Sequence, residues 1–187
     1  MHDRSTVAQH AAERPLALQI GLEIGLVAAF CAATVVAAHV RIPLPFTPVP
    51  LTLQTLVVLL AGGLIGPRLG FVSQTGYLLL CLLGLPVLAT ASFIGPTGGY
   101  ILGFVLAAVI MGYCARTGRT GWIIAGTVLA TLAIYACGTM WLSGYTGQSV
   151  QQAAMLGVAP FVFGDAIKCA SAVMIIKLVR SRMPQVL

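Results

Sequence analysis

The chain has 187 residues, 59% apolar and 7% charged, with ten Lys and Arg against four Asp and Glu and a net charge of +6. A mean hydropathy of +1.00 excludes a water-soluble globular domain, and basic residues standing singly at span ends argue against a nucleic-acid-binding face. No polar stretch is long enough for a second, soluble domain, so the composition predicts one polytopic membrane domain.

Residues 1–15, "MHDRSTVAQHAAERP", are too polar and too acidic for a signal peptide and read as a cytoplasmic tail. A membrane domain is expected over 16–182, with spans near 16–40, 51–65, 69–88, 100–115, 122–142 and 158–179, and a cytoplasmic tail at 183–187. Helices are the expected form, because in lipid each backbone polar group must be satisfied within its own segment. The alternating pattern of a membrane barrel is absent. With both termini in the cytoplasm, Arg4, Arg14, Arg68, Arg116, Arg119, Lys177, Arg180 and Arg182 fall inside and Arg41 alone outside, with Lys168 within the last span. That asymmetry supports six transmembrane helices and this orientation together.

In the first span, Ala28 and Ala32 lie four apart on a nearly smooth face. Small residues at that spacing allow close helix approach, either within the molecule or to a partner membrane protein. The first outer loop, "VRIPLPFTPVPL", holds Pro43, Pro45, Pro48 and Pro50 and is predicted to be stiff and extended, a connector or a lid. Thr52 and Gln54 follow, and the Gln54 amide offers two donors and an acceptor, suited to an amide-like ligand or to a helix–helix hydrogen bond. In "ATASFIGPTGGYILG", Gly98 and Gly99 stand at the mouth of the fourth span, where glycine permits close backbone approach to a ligand or simply a turn. Tyr100 and Trp141 are candidate pocket walls, and Tyr145 is an interfacial anchor.

The last span, in "VAPFVFGDAIKCASAVMIIKLVR", carries Asp165 and Lys168. Three residues apart, they share one helix face. Each charge costs about 2.5–3.5 kcal/mol at the centre of a span, so the pair is either a structural ion pair or faces a polar cavity. Counting from residue 158, Asp165 is expected about 10 Å below the outer surface at about 1.5 Å per residue.

Cys31, Cys81, Cys114, Cys137 and Cys169 show no CxxC spacing, and His2, His10 and His39 form no ligand pattern, so neither metal nor other cofactor is expected. The two lysines, Lys168 and Lys177, lie outside any GxxxxGK[ST], and no GxSxG occurs, so ATP hydrolysis by a P-loop and acyl-transfer catalysis are not expected of this chain.

The blocks "RIPLPFTPVPLTLQTLVVLLAGGLIGPRLG", "LLGLPVL", "GPTGGYILGF" and "FGDAIK" occur in this order and closely resemble the BioY family, the substrate-binding S components of energy-coupling-factor (ECF) biotin transporters. The resemblance implies a six-helix S-component bundle in the bacterial cytoplasmic membrane, with a biotin site near the outer surface. It also implies a transmembrane coupling subunit and two ATPase subunits as partners. By the same resemblance, Asp165 and Lys168 fall on ligand-contacting positions of the last helix. Gln54, Tyr100, Trp141 and the Gly98–Gly99 turn complete the expected site, and the face at Ala28 and Ala32 matches the surface offered to the coupling subunit. The family's glycine-rich run before "GPTGGY" is reduced here to "ATASFI", leaving Thr90 and Ser92 as its polar candidates. Alternatives are an S component for another vitamin and a non-transporting membrane assembly subunit. Small-residue faces are also compatible with self-association.

Overall fold

The structure, a computed structural model, describes residues 15–90 and 92–182. The order of elements is α1 (Leu16–His39), β1 (Arg41–Ile42), β2 (Leu51–Thr52), α2 (Gln54–Leu82), α3 (Gly98–Arg116), α4 (Thr120–Thr146), α5 (Val150–Gly157) and α6 (Val162–Arg182). Helices α1 to α4 are long and apolar enough to cross a membrane. Helix α6 is left outside that group by its charges, since Asp165, Lys168 and Lys177 fall within its first turns and its C-terminal half.

Helix α2 is one run of sequence but two helical arms. Gly66 breaks it with φ 81° and ψ 175°, and Pro67 follows. A positive φ with extended ψ is open to glycine almost alone. The residue before proline is driven away from helical geometry, and proline suits the first turn of the next helix. The arms fold back on each other. The Gln54 side chain reaches Tyr77, 23 residues on, at 2.8 Å. A Cβ on Gly70 would stand 3.2 Å from the Gly62 Cα, a contact impossible in a continuous helix, where eight residues rise about 12 Å. The arms, 54–65 and 67–82, are about 18 and about 24 Å long at about 1.5 Å per residue.

Glycines set the spacing of the bundle. Gly62 lies against the Ala108 backbone and Gly112 against Pro67, which seats α3 on the α2 hairpin. On its other side α3 meets α4 through Gly103 at Ile134 and Gly126 at Cys114. Helix α3 is the central element, with 61% of its most apolar window buried, against 11% for α1. Helix α1 docks by its C-terminal half, through Thr34, Ala37 and Ala38. There Gln74 Nε2 donates to Thr34 Oγ1 at 3.2 Å. Ala28 and Ala32 face outward and are exposed.

Several boundaries differ from expectation. Residues 51–52 are a strand paired antiparallel with 41–42, not the start of a helix, so the segment joining α1 to α2 is a proline-stiffened hairpin and the fold includes a two-strand ladder. The third segment ends at Leu82 because Gly84, with φ 73°, and Pro86 stop it before the apolar "LPVL" is used up. Helix α5 lies between the spans expected at 122–142 and 158–179, opened by a capping box in which Ser149 Oγ accepts from Gln152 N and the Gln152 side chain accepts from Ser149 N. Pro160 follows, and α6 begins at Val162 rather than at 158, so Asp165 is in the first turn of its helix and not two turns deep. The tails at 1–14 and 183–187 lie outside the described residues.

At the end of the bundle that carries Gly66, Arg180 of α6 closes three elements. Its Nη2 donates to Gly63 O at 2.8 Å, at the end of the first α2 arm, and its Nη1 to Ala115 O, a carbonyl that also accepts from Gly118 N at 3.1 Å at the end of α3.

A Cβ on Gly66 would meet nothing within 4 Å, so Gly66→Ala isolates the backbone constraint from packing. The substitution is expected to cost about 1–3 kcal/mol, read as a lowered thermal midpoint in detergent.

Candidate functional site

The opposite end of the bundle holds a cavity roofed by the β1–β2 hairpin. The N-terminus of α6 supplies its charges. Asp165 N donates to Phe161 O at 2.8 Å, closing the first turn, and a carboxylate in that turn is favoured by the free N–H groups and dipole of the helix start. Lys168 Nζ donates to Asp165 Oδ1 at 2.7 Å, and both residues are buried, at 8% and 5% exposure. From α4, Tyr135 OH donates to Asp165 Oδ2 at 2.6 Å. Both carboxylate oxygens are thus engaged, by a cation and by a phenol. A buried pair is tolerable only with such additional hydrogen bonds, since the attraction alone does not offset desolvation.

The start of the α2 hairpin supplies the opposite wall. Gln54 N donates to Thr52 Oγ1 at 3.3 Å, Thr52 Oγ1 donates to Gln54 Oε1 at 3.3 Å, and Gln54 Nε2 donates to Tyr77 OH at 2.8 Å. Tyr77 OH donates in turn to Val87 O at 3.0 Å, tying the hairpin to the loop after α2. Arg41 Nη1 donates to Ala89 O, tying the roof to the same loop.

The cavity is narrow, with a volume of about 50 Å³, so its walls stand close together. Its polar groups converge from Gln54, Thr52, Tyr135, Asp165 and Lys168, while Tyr100, Phe104 and Phe161 give aromatic surface. A mostly apolar cleft with a few convergent polar groups is the form of a small-molecule site. Donors (Lys168) and acceptors (Asp165, the Gln54 carbonyl) lie in one chamber. The arrangement can hold a neutral polar ring by hydrogen bonds without reacting with it.

Of the residues singled out by sequence, Asp165, Lys168, Gln54 and Tyr100 are brought together in this lining. Tyr100 OH also donates to Gly157 O at 2.8 Å, locking α5 over the cavity. Gly98, Gly99, Trp141, Thr90 and Ser92 are not in the lining. Gly98 and Gly99 face the Trp141 ring and the Cys137 carbonyl of α4. Trp141 Nε1 donates to Gly95 O at 2.8 Å, and its ring packs 5.6 Å from that of Phe93. Thr90 Oγ1 is 2.8 Å from Thr97 Oγ1, and Ser92 Oγ accepts from Ile94 N at 3.2 Å. These five shape the loop beside the cavity rather than its wall. Tyr135 and Tyr77 were missed by sequence reasoning. The available signal was a phenol hydroxyl deep in an apolar span, a group that requires a partner when buried. Among the described residues, no cluster of three His, Cys, Asp or Glu could hold a metal, and the five cysteines are free.

The family model of the BioY family matches residues 11–185. The chain belongs to the BioY family. It is 42% identical over 158 residues to the probable biotin transporter BioY of Pyrococcus horikoshii, covering 82% of this chain and 93% of that protein. It is 38% identical over 152 residues to the biotin transporter BioY of Thermotoga maritima, covering 78% and 88%. Among solved structures it resembles the S component for biotin of an ECF-type ABC transporter, with a TM-score of 0.80 and 27% identity over 90% of this chain and 95% of that one. This BioY-family chain is a multi-pass membrane protein.

Lys168→Met leaves the Asp165 carboxylate buried with Tyr135 as its one remaining side-chain partner, and is expected to cost about 3–5 kcal/mol. Adding Asp165→Asn removes the stranded charge and should restore most of the loss in thermal melts of the detergent-solubilised protein.

Proposed function

We propose that this chain is the biotin-binding S component of an ECF-type transporter and takes part in biotin uptake across the membrane. The observation that carries the reading is the buried Tyr135–Asp165–Lys168 group facing Gln54 across a narrow cavity. Biotin's ureido ring presents two N–H donors and a carbonyl acceptor, and its thiophane ring is apolar. Asp165 and the Gln54 carbonyl accept the N–H groups, Lys168 donates to the carbonyl oxygen, and Tyr100 and Phe104 line the apolar part. The relatives' and the solved structure's biotin assignments support the same ligand. Trp141, Gly98, Gly99, Thr90 and Ser92 act on the site by fixing residues 92–99 beside it.

In this reading residues 16–182 form one membrane domain with six crossing segments, the two arms of α2 counting separately. Both termini are cytoplasmic, and the cavity opens to the outside of the bacterial cytoplasmic membrane. The distribution of Lys and Arg supports that orientation. The chain binds and carries but does not catalyse. A transmembrane coupling subunit and two ATPases supply the energy, docking at the exposed Ala28 and Ala32 face of α1, where small side chains allow close helix approach.

Equilibrium binding of labelled biotin to the purified protein tests the reading. Saturable binding is expected, weakened about tenfold or more by Asp165→Asn, since a charge-assisted hydrogen bond is worth about 1.5–3 kcal/mol. Undiminished affinity in that variant would remove Asp165 from the site, and absence of binding by the folded parent would remove biotin.

A further inference from the structure

The hydrogen bonds behind Gln54 have a direction. Val87 O is a backbone carbonyl and can only accept. Tyr77 OH lies 3.0 Å from it and donates its one proton there. The same phenol oxygen lies 2.8 Å from the Gln54 side-chain amide and, with its proton used, can meet that amide only as an acceptor. Gln54 must then turn its NH₂ group toward Tyr77. The reversed amide would draw the Tyr77 proton to Gln54 and leave the Val87 carbonyl without it. The other side of Gln54 agrees. Thr52 Oγ1 accepts from Gln54 N at 3.3 Å and donates its own proton to Gln54 Oε1, also at 3.3 Å.

Tyr77 stands behind Gln54, fully buried at 0% exposure and absent from the cavity wall, whereas Thr52 and Gln54 are part of it. The NH₂ group is thus drawn back into the protein, and the carbonyl oxygen, with a lone pair still free, is left on the cavity side. We propose that Tyr77 is a positioning residue that sets the hydrogen-bond polarity of the site. Through the Val87–Tyr77–Gln54 chain it holds residue 54 as an acceptor, so that this wall reads a ligand N–H and rejects a ligand that offers a carbonyl or an alkylated nitrogen there. Rotating an unrestrained primary amide would exchange donor for acceptor at no steric cost; here its orientation is dictated from two layers away.

The inference rests on the biotin reading, and its experiment separates the two. Binding of biotin and of the two mono-N-methylated biotins is measured on the full-length protein in detergent, for the parent, Tyr77→Phe and Gln54→Met. In the parent, one of the two methylated compounds is expected to bind at least tenfold more weakly than biotin. In Tyr77→Phe, biotin should weaken about tenfold while that methylated compound is unchanged, so the preference collapses toward one. A merely structural role for Tyr77 would weaken all ligands alike, and that outcome overturns the proposal, as does an intact preference. Gln54→Met keeps the Tyr77–Val87 bond and carries the test if Tyr77→Phe does not fold. Preference retained there means that something other than the Gln54 oxygen reads the N–H, and Tyr77 then has nothing to position. A parent that binds biotin but prefers neither form also overturns the relay alone. A folded parent that binds no biotin overturns the transport reading, and the relay with it.

Discussion

Placing a carboxylate and an ammonium in the apolar N-terminal turns of α6 is the constraint around which the hairpin-bearing half of the molecule is arranged. Neither charge is stable there alone. Asp165 is held by Lys168 one turn on, by Tyr135 from α4 and by the start of its own helix. Each partner must arrive on a rigid element, and each element must come close. That requirement explains why α4 is anchored to α3 through glycines. It also explains why Tyr100 reaches across to Gly157 to fix the chain just before α6 begins. The cavity is the space left when charged and amide groups face each other without touching.

The polar groups fall into two sets with different tasks. Around Asp165 the hydrogen bonds converge on a charge and hold it in place. Around Gln54 they run in series, from the amide through a phenol to a backbone carbonyl, and hold an orientation. The first set makes a buried charge tolerable, and the second removes the ambiguity of a group that is nearly symmetric in shape but not in chemistry. Both are hidden from solvent, where a hydrogen bond is stronger and its loss costs more.

Hydropathy made the apolar segments legible, because a membrane domain must show long greasy runs. The ends of those runs were less legible. Hydropathy measures side chains, while helices stop for reasons of backbone. "LPVL" is apolar enough to extend a span, but Gly84 and Pro86 end it, and "LT" at 51–52 is taken into a strand by its pairing with Arg41 and Ile42. Helix α5 was hidden because its eight residues are too few for a span, although the Ser149 and Gln152 spacing of its cap stood in the sequence. Asp165, Lys168 and Gln54 were visible as polar groups out of place in lipid. Tyr135 was not, because a tyrosine in a span is unremarkable until its partner, 30 residues away in sequence, is brought to its hydroxyl.

Arg180 has a consequence for the order in which the chain can be completed. Its guanidinium is the group that closes the carbonyl ends of two helices lying 117 and 65 residues earlier. A polypeptide made from its N-terminus exposes those ends in the growing chain long before the residue that satisfies them has been synthesised. Until then, Gly63 O beside the Gly66 turn lacks this donor, while Ala115 O keeps only the N–H of its own turn, from Gly118. Assembly of this end is therefore sealed by the last turn of the last described helix, and a chain arrested before residue 180 would retain all the earlier helices with that end unsealed.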